Sequence, residues 1–85
     1  MMDFFDIEPE PRSIDELYLL ILEETLGKKV SYKKFYRDEI LQAQKYLIKN
    51  GYLSGGVNGD EVWFTNVLPK GIGFIERLKR KLSGT

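Results

Sequence analysis

Three stretches of the chain carry apolar residues at helical spacing, and residues that start or stop helices bound each of them. The first begins at Ser13, an N-cap residue with Glu16 three positions on, and ends at Gly27, which suits the C′ position. Its apolar stripe consists of Ile14, Leu17, Tyr18, Leu20, Ile21, Leu22 and Leu26. The pattern predicts a core helix between Ser13 and Gly27.

The second stretch predicts a helix from Glu39 to Asn50, with Asp38 as its cap and Gly51 at C′. Tyr52 follows this glycine, and we expect its side chain to pack back on Leu47.

Ahead of this helix, Ser31 is suited to cap a short helix over residues 32–36. The third stretch starts at Pro69, which fits the first helical position. Its apolar positions are Ile72, Ile75, Leu78 and Leu82. Gly71 and Gly73 weaken the first turns of this last predicted helix.

Between the last two helices, alternating residues predict a β-hairpin. Asn58-Gly59 is a strong signal for a two-residue type I′ turn. Pairing around it sets Val57 against Asp60, Gly55 against Val62, Leu53 against Phe64, Ser54 against Trp63 and Tyr52 against Thr65. A second register, turning at Gly55-Gly56, leaves very short strands. In the first register Leu53 and Phe64 share one face, and Trp63 lies on the other.

Helix, short helix, helix, hairpin and helix is the element order of a winged helix-turn-helix. The predicted fold class is therefore mostly α with a β-hairpin wing, an α+β domain over residues 13–85. Residues 1–12 are predicted to be an extended acidic arm, because Pro9 and Pro11 bias their predecessors away from helical backbone.

The composition excludes several kinds of active site. The chain contains no cysteine and no histidine, which removes thiol nucleophiles, imidazole bases and nearly all zinc sites. We therefore expect no enzyme activity, metal, cofactor or small-molecule substrate. The lack of cysteine favours a cytoplasmic location, and no apolar run approaches the roughly 20 residues that a membrane span needs.

The net charge is zero, but acidic and basic residues are unevenly distributed. Residues 1–27 carry eight acidic side chains and one basic one, whereas residues 28–85 carry twelve basic and five acidic side chains. This asymmetry is typical of a polyanion-binding region beside an acidic arm. It is equally expected if the two parts attract each other within the fold.

Two junctions resemble those of known winged-helix proteins. Residues 49–53, Lys-Asn-Gly-Tyr-Leu, look like the junction between a recognition helix and a wing. Residues 68–76, Leu-Pro-Lys-Gly-Ile-Gly-Phe-Ile-Glu, look like the segment after the wing, with Leu68 where a capping threonine is usual. Residues 13–82 thus resemble the YjcQ-like group of small winged-helix proteins from Bacillus-type genomes and their prophages. The resemblance implies that the helix over residues 39–50 enters a DNA major groove.

The candidate DNA-binding residues lie in that helix and in the segment before it. In the helix, Gln42 suits adenine, Lys45 suits guanine or phosphate, and Lys49 extends the same face. Before the helix, five bases lie among aromatic residues around a predicted helix N-terminus, an arrangement that favours phosphate. They are Lys28, Lys29, Lys33, Lys34 and Arg37. Alternatively, these side chains are an ordinary solvated surface that offsets the acidic residues.

Tyr52 and Trp63 form a candidate interface, because an exposed aromatic pair is typical of a contact surface. Its partner would be DNA, a second subunit, or Phe4 and Phe5 of the arm; alternatively the arm or the last helix covers it.

Two hypotheses for the function of the chain follow. One is a regulator that binds double-stranded DNA, with a homodimer allowed. The other is a protein-interaction module that does not bind DNA.

Overall fold

The computed structural model describes residues 14–83. In chain order the elements are α1 (Ile14–Thr25), α2 (Arg37–Lys49), β1 (Leu53–Asn58), β2 (Glu61–Val67) and α3 (Pro69–Leu82). The predicted cap at Ser13 and the predicted arm, with Phe4 and Phe5, lie outside the described residues.

The core helix predicted from the first apolar stripe is confirmed, and so is its glycine ending. Gly27 has a φ of 99°, a left-handed conformation that favours glycine. The Lys28 N–H donates to the Glu23 carbonyl at 3.0 Å, and the Gly27 N–H donates to the Glu24 carbonyl at 2.9 Å. These two bonds form a Schellman motif, which turns the chain away from α1.

α2 begins two residues before the predicted start, at Arg37 instead of Glu39. The N-cap is Tyr36, and its backbone N–H donates to Glu39 Oε1 at 2.8 Å. Asp38 therefore lies in the first turn and is not the cap. The helix starts early because the carboxylate at its third position reaches back to the cap, which does not require a polar cap side chain.

The predicted end of α2 is confirmed. Gly51 has a φ of 79°, and the Tyr52 N–H donates to the Leu47 carbonyl at 2.9 Å. This second Schellman motif leads directly into β1.

The short helix predicted over residues 32–36 is wrong. The Phe35 N–H donates to the Tyr32 carbonyl at 2.9 Å, and the Lys33 N–H donates to Ser31 Oγ at 3.4 Å. Ser31 therefore caps a turn. So short a segment gains too few hydrogen bonds to offset the cost of nucleating a helix.

The hairpin forms, but its predicted register is wrong by two residues next to the turn and by three at Ser54 and Leu53. The observed pairs are Asn58–Glu61, Val57–Val62, Gly56–Trp63, Gly55–Phe64, Ser54–Asn66 and Leu53–Val67. The turn residues are thus Gly59 and Asp60. Gly59 alone has positive φ, at 63°, which is the sign pattern of a type II′ turn rather than type I′.

A shift of two residues keeps each side chain on its predicted face, because strand side chains alternate with a period of two. Leu53 is buried, and Trp63 is exposed on the opposite face. An irregularity between Ser54 and Gly55 leaves Thr65 without a partner in β1. The predicted pair between Tyr52 and Thr65 is therefore absent.

α3 begins at Pro69 as predicted, with Ile75 and Leu78 buried, whereas Ile72 and Leu82 of the same stripe remain exposed. α1 packs against both other helices, and the hairpin packs on α2. The buried core consists of Leu17, Ile21, Leu22, Ala43, Leu47, Leu53, Ile75 and Leu78.

Residues 14–83 thus form a small α+β fold of three helices and a two-stranded antiparallel hairpin. This arrangement is compatible with a winged-helix layout. No helix in this part of the chain combines the length and the apolar character required to cross a membrane.

Candidate nucleic-acid interface

Residues 28–37, which are the loop before α2 and the first residue of that helix, are termed the basic segment. Two of its five bases pair with α1. Lys28 Nζ lies 3.4 Å from Glu23 Oε2, and Lys34 Nζ lies 3.5 Å from Glu16 Oε2. Both pairs are partly exposed, so each adds at most about 1 kcal/mol. These two lysines therefore offset the acidic helix, as the alternative interpretation of the charge distribution expects.

The other three bases of the basic segment are exposed and have no ion pair with any residue in 14–83. They are Lys29, Lys33 and Arg37. The side chains of Lys29, Lys33 and Lys34 line one groove of about 580 Å³ between the segment and α1. Its apolar floor includes Leu20 and Phe35. The fold thus gathers lysines that the sequence spreads over six positions.

A tyrosine holds the basic segment against α1. Tyr32 is half-buried, and its hydroxyl donates to Glu24 Oε1. Burial raises the pKa of Tyr32 well above its ordinary value of 10, and the hydrogen bond and negative charge of Glu24 raise it further. The folded protein therefore keeps the tyrosine protonated where the unfolded chain loses the proton.

Stability should consequently fall as the pH rises above about 10, because only the unfolded state then releases this proton. Below that pH the contribution of Tyr32 is fully present. We expect Tyr32→Phe to flatten the decline of the unfolding free energy between about pH 9 and 11. Urea unfolding of both proteins across this range measures the slopes, and Tyr18, whose pKa burial also raises, adds a background common to both. Equal slopes would contradict the assignment.

The outer face of α2, formed by Gln42, Tyr46 and Lys49, is exposed. Lys49 has no ion pair among the described residues. Lys45 differs, because its ammonium lies 3.6 Å from Asp60 Oδ1 and its side chain is only 18% exposed. Of the helix bases proposed from sequence, Lys49 is thus open to a ligand, and Lys45 is largely occupied by the hairpin turn.

The hairpin tip is acidic. Asp60 is 93% exposed on the turn, and Glu61 beside it is exposed as well. Two carboxylates at the tip of a wing repel DNA phosphates, so this hairpin does not suit insertion beside a phosphate backbone. The contact between Asp60 and Lys45 instead ties the tip to α2.

Tyr52 does not pair with Trp63 but belongs to a row of rings that spans all three helices. Tyr18 stacks on Tyr46 with centroids 4.8 Å apart, and Tyr52 stacks on Phe74 at 4.3 Å. The proposed Tyr52–Trp63 pair is therefore corrected. Tyr52 precedes the first paired residue of β1, Leu53, and its ring stacks on Phe74 of α3.

Two bases that the sequence did not single out border this row. Lys70 Nζ lies 5.1 Å from the Tyr52 ring centroid and donates to the Asn50 carbonyl at 2.9 Å. Arg77 lies 5.5 Å from the Phe74 centroid. The i, i+3 spacing of Phe74 and Arg77 was the available signal for the second contact.

Trp63 is 54% exposed on the outer face of the hairpin. A methyl group on Gly56 would lie 2.4 Å from the indole, so the ring lies directly over this glycine. The opposite strand thus supports one side of the indole, and the other side faces outward.

The described residues contain no group of three or more metal-ligating side chains. Comparison with protein-family models, curated proteins and solved structures found no match to this chain.

Proposed function

We propose that this chain is a DNA-binding regulator of the winged-helix class, a member of the YjcQ-like group, that contacts duplex DNA mainly through the basic segment. The observation that carries the proposal is a group of three exposed bases at and before the start of α2, Lys29, Lys33 and Arg37, which have no ion pair within residues 14–83. Such side chains bind phosphate without first breaking an internal ion pair.

The basic segment and the outer face of α2 adjoin along the chain. Arg37 is the first residue of α2, and the exposed Gln42 and Lys49 follow on that helix. We infer that the basic segment binds the phosphate backbone and that Gln42 and Lys49 face the bases. The acidic tip and the pairing of Lys45 with Asp60 argue against a phosphate contact by the hairpin.

Titration of the protein with mixed-sequence duplex DNA at several salt concentrations tests this proposal. Three phosphate contacts predict a log–log salt slope near −2.7, and each Lys29→Gln, Lys33→Gln or Arg37→Gln change should reduce its magnitude by about one. The double variant Lys29→Gln/Lys33→Gln is compared with the matched control Arg77→Gln/Arg80→Gln, which removes the same charge from exposed positions of α3 without an ion pair among the described residues. Equal weakening by both double variants would show that net charge alone matters, and would overturn the proposal.

The exposed indole favours a second candidate, a protein-interaction module that uses the outer face of the hairpin. Tryptophan is one of the side chains enriched among the residues that contribute most binding energy at protein interfaces. Since Trp63 is the chain's one tryptophan, its fluorescence reports this face directly. Emission that shifts to shorter wavelength with rising protein concentration, at high salt, would support self-association there. Trp63→Ala should abolish any concentration dependence of the sedimentation rate.

A further inference from the structure

A shallow groove of about 330 Å³ runs between the start of α1 and the outer face of α2. Its lining residues are Ile14, Tyr18, Gln42, Ala43, Lys45, Tyr46 and Lys49. Ile14 is 51% exposed and Tyr46 is 41% exposed, so apolar surface remains open here. The groove thus combines an apolar wall with the ammonium of Lys49, which has no ion pair with the described residues.

The groove also has a distinctive charge. Its lining contains two lysines and no carboxylate. Two other grooves on the described surface mix the two signs: Arg37 lies with Asp38 and Asp60 in one, and three lysines lie with Glu16 and Glu23 in the other. Only the groove between α1 and α2 offers an acidic peptide with apolar side chains a lining without an opposing carboxylate among these three.

The chain itself contains such a peptide, and it joins the fold at the groove. Residues 1–13 precede Ile14, which is part of the groove wall. They contain the acids Asp3, Asp6, Glu8 and Glu10, the apolar residues Phe4, Phe5 and Ile7, and one base, Arg12. Charge and side-chain type are thus complementary to the groove.

The length of residues 1–13 and their connection to Ile14 in the groove wall also favour these residues as the occupant of the groove. Thirteen residues in extended conformation span about 40 Å, whereas a helix of the length of α2 spans roughly 20 Å. A peptide tethered at the mouth of its site has an effective concentration of the order of millimolar. Weak contacts then suffice to keep the groove occupied.

We propose that residues 1–13 of the same chain dock in this groove and cover the outer face of α2. In this proposal the carboxylates of residues 1–13 pair with the ammonium of Lys49, and Phe4 or Phe5 packs on Ile14 and Tyr46. On the proposed function, the docked peptide competes with DNA for α2, so the acidic segment lowers DNA affinity. The docking itself does not depend on DNA binding.

A spin label tests the docking without DNA. The chain has no cysteine, so Met2→Cys provides a single attachment point for a nitroxide in the full-length protein. We expect loss of amide NMR signal at Gln42, Tyr46 and Lys49, and little loss at Trp63 on the hairpin. Adding Phe4→Ser/Phe5→Ser should restore the signals. Signal loss that is uniform over the surface, or confined to the hairpin, would overturn the proposal.

A mixed sample identifies which copy supplies the peptide. Spin-labelled protein without ¹⁵N is combined with ¹⁵N protein that carries no label. Docking within one chain predicts full signal at Gln42 and Lys49 in the mixture. Loss at these amides would show exchange between copies and would overturn docking within the chain.

The competition is measured separately. Asp6→Asn should bind duplex DNA several-fold more tightly than the matched variant Glu76→Gln, which removes equal charge from an exposed position of α3. Equal affinities would overturn the competition. If no variant binds DNA while the spin label reports docking, the proposed function fails and the docking stands.

Discussion

Replacing Leu47 by alanine should lower the free energy of unfolding by about 2–5 kcal/mol. Leu47 is 0% exposed and lies on the inner side of α2, within the core shared with α1, β1 and α3. Alanine removes three buried carbon atoms and leaves a cavity that the surrounding core fills only in part. A domain of this size has little margin, so the variant should be partly unfolded at moderate temperature.

Urea unfolding followed by circular dichroism measures the effect, with an unchanged m-value as the sign that only stability has changed. The matched control is Leu26→Ala, the same substitution at a 50% exposed position after α1. It should shift stability by no more than about 0.5 kcal/mol. Similar losses in both variants would show that Leu47 is not central to the core.

Gly71→Ala should cost about 1–3 kcal/mol, although alanine is normally the better helix former. Gly71 is buried in the first turn of α3, beneath the base of the hairpin. Its added methyl group would lie 2.3 Å from the Tyr52 carbonyl oxygen and 2.8 Å from Val67 Cγ1. The helix start must therefore move away from the hairpin, against the hydrogen bond of 2.9 Å from the Leu68 N–H to the same Tyr52 oxygen.

Gly73→Ala is the matched control two residues further along α3, and it should have the opposite sign. A methyl group there meets no atom within 4 Å, so only the helix propensity changes. We expect a gain of about 0.5–1 kcal/mol. Thermal unfolding of both variants measures the difference, and a stabilising Gly71→Ala would contradict the close packing of α3 on the hairpin.

The different effects expected at Gly71 and Gly73 could not be predicted from the sequence. In the sequence both simply weaken the first turns of a helix. Their different roles depend on which side of α3 faces Tyr52, and that contact joins residues nearly twenty positions apart. A local propensity contains no information about it.

In the candidate site too, some features could be predicted from the sequence and others depend on the tertiary structure. The sequence identified the bases of the basic segment and the exposed face of α2, because charge and helical period are local properties. It did not identify which bases are free. Lys28 and Lys34 are paired, whereas Lys29 and Lys33 have no ion pair in the described part of the chain, and this depends on the distance of each from the acids of α1.

The sequence by itself determined the three long helices, the glycine endings at Gly27 and Gly51, and the faces of the hairpin. Each depends on periodicity or on backbone chemistry within a few residues. Only the tertiary structure decided the hairpin register, the loss of the short helix after Ser31, and the placement of Tyr52 beneath α3. These follow from packing between distant segments, where burial against a neighbouring element outweighs a weak local preference.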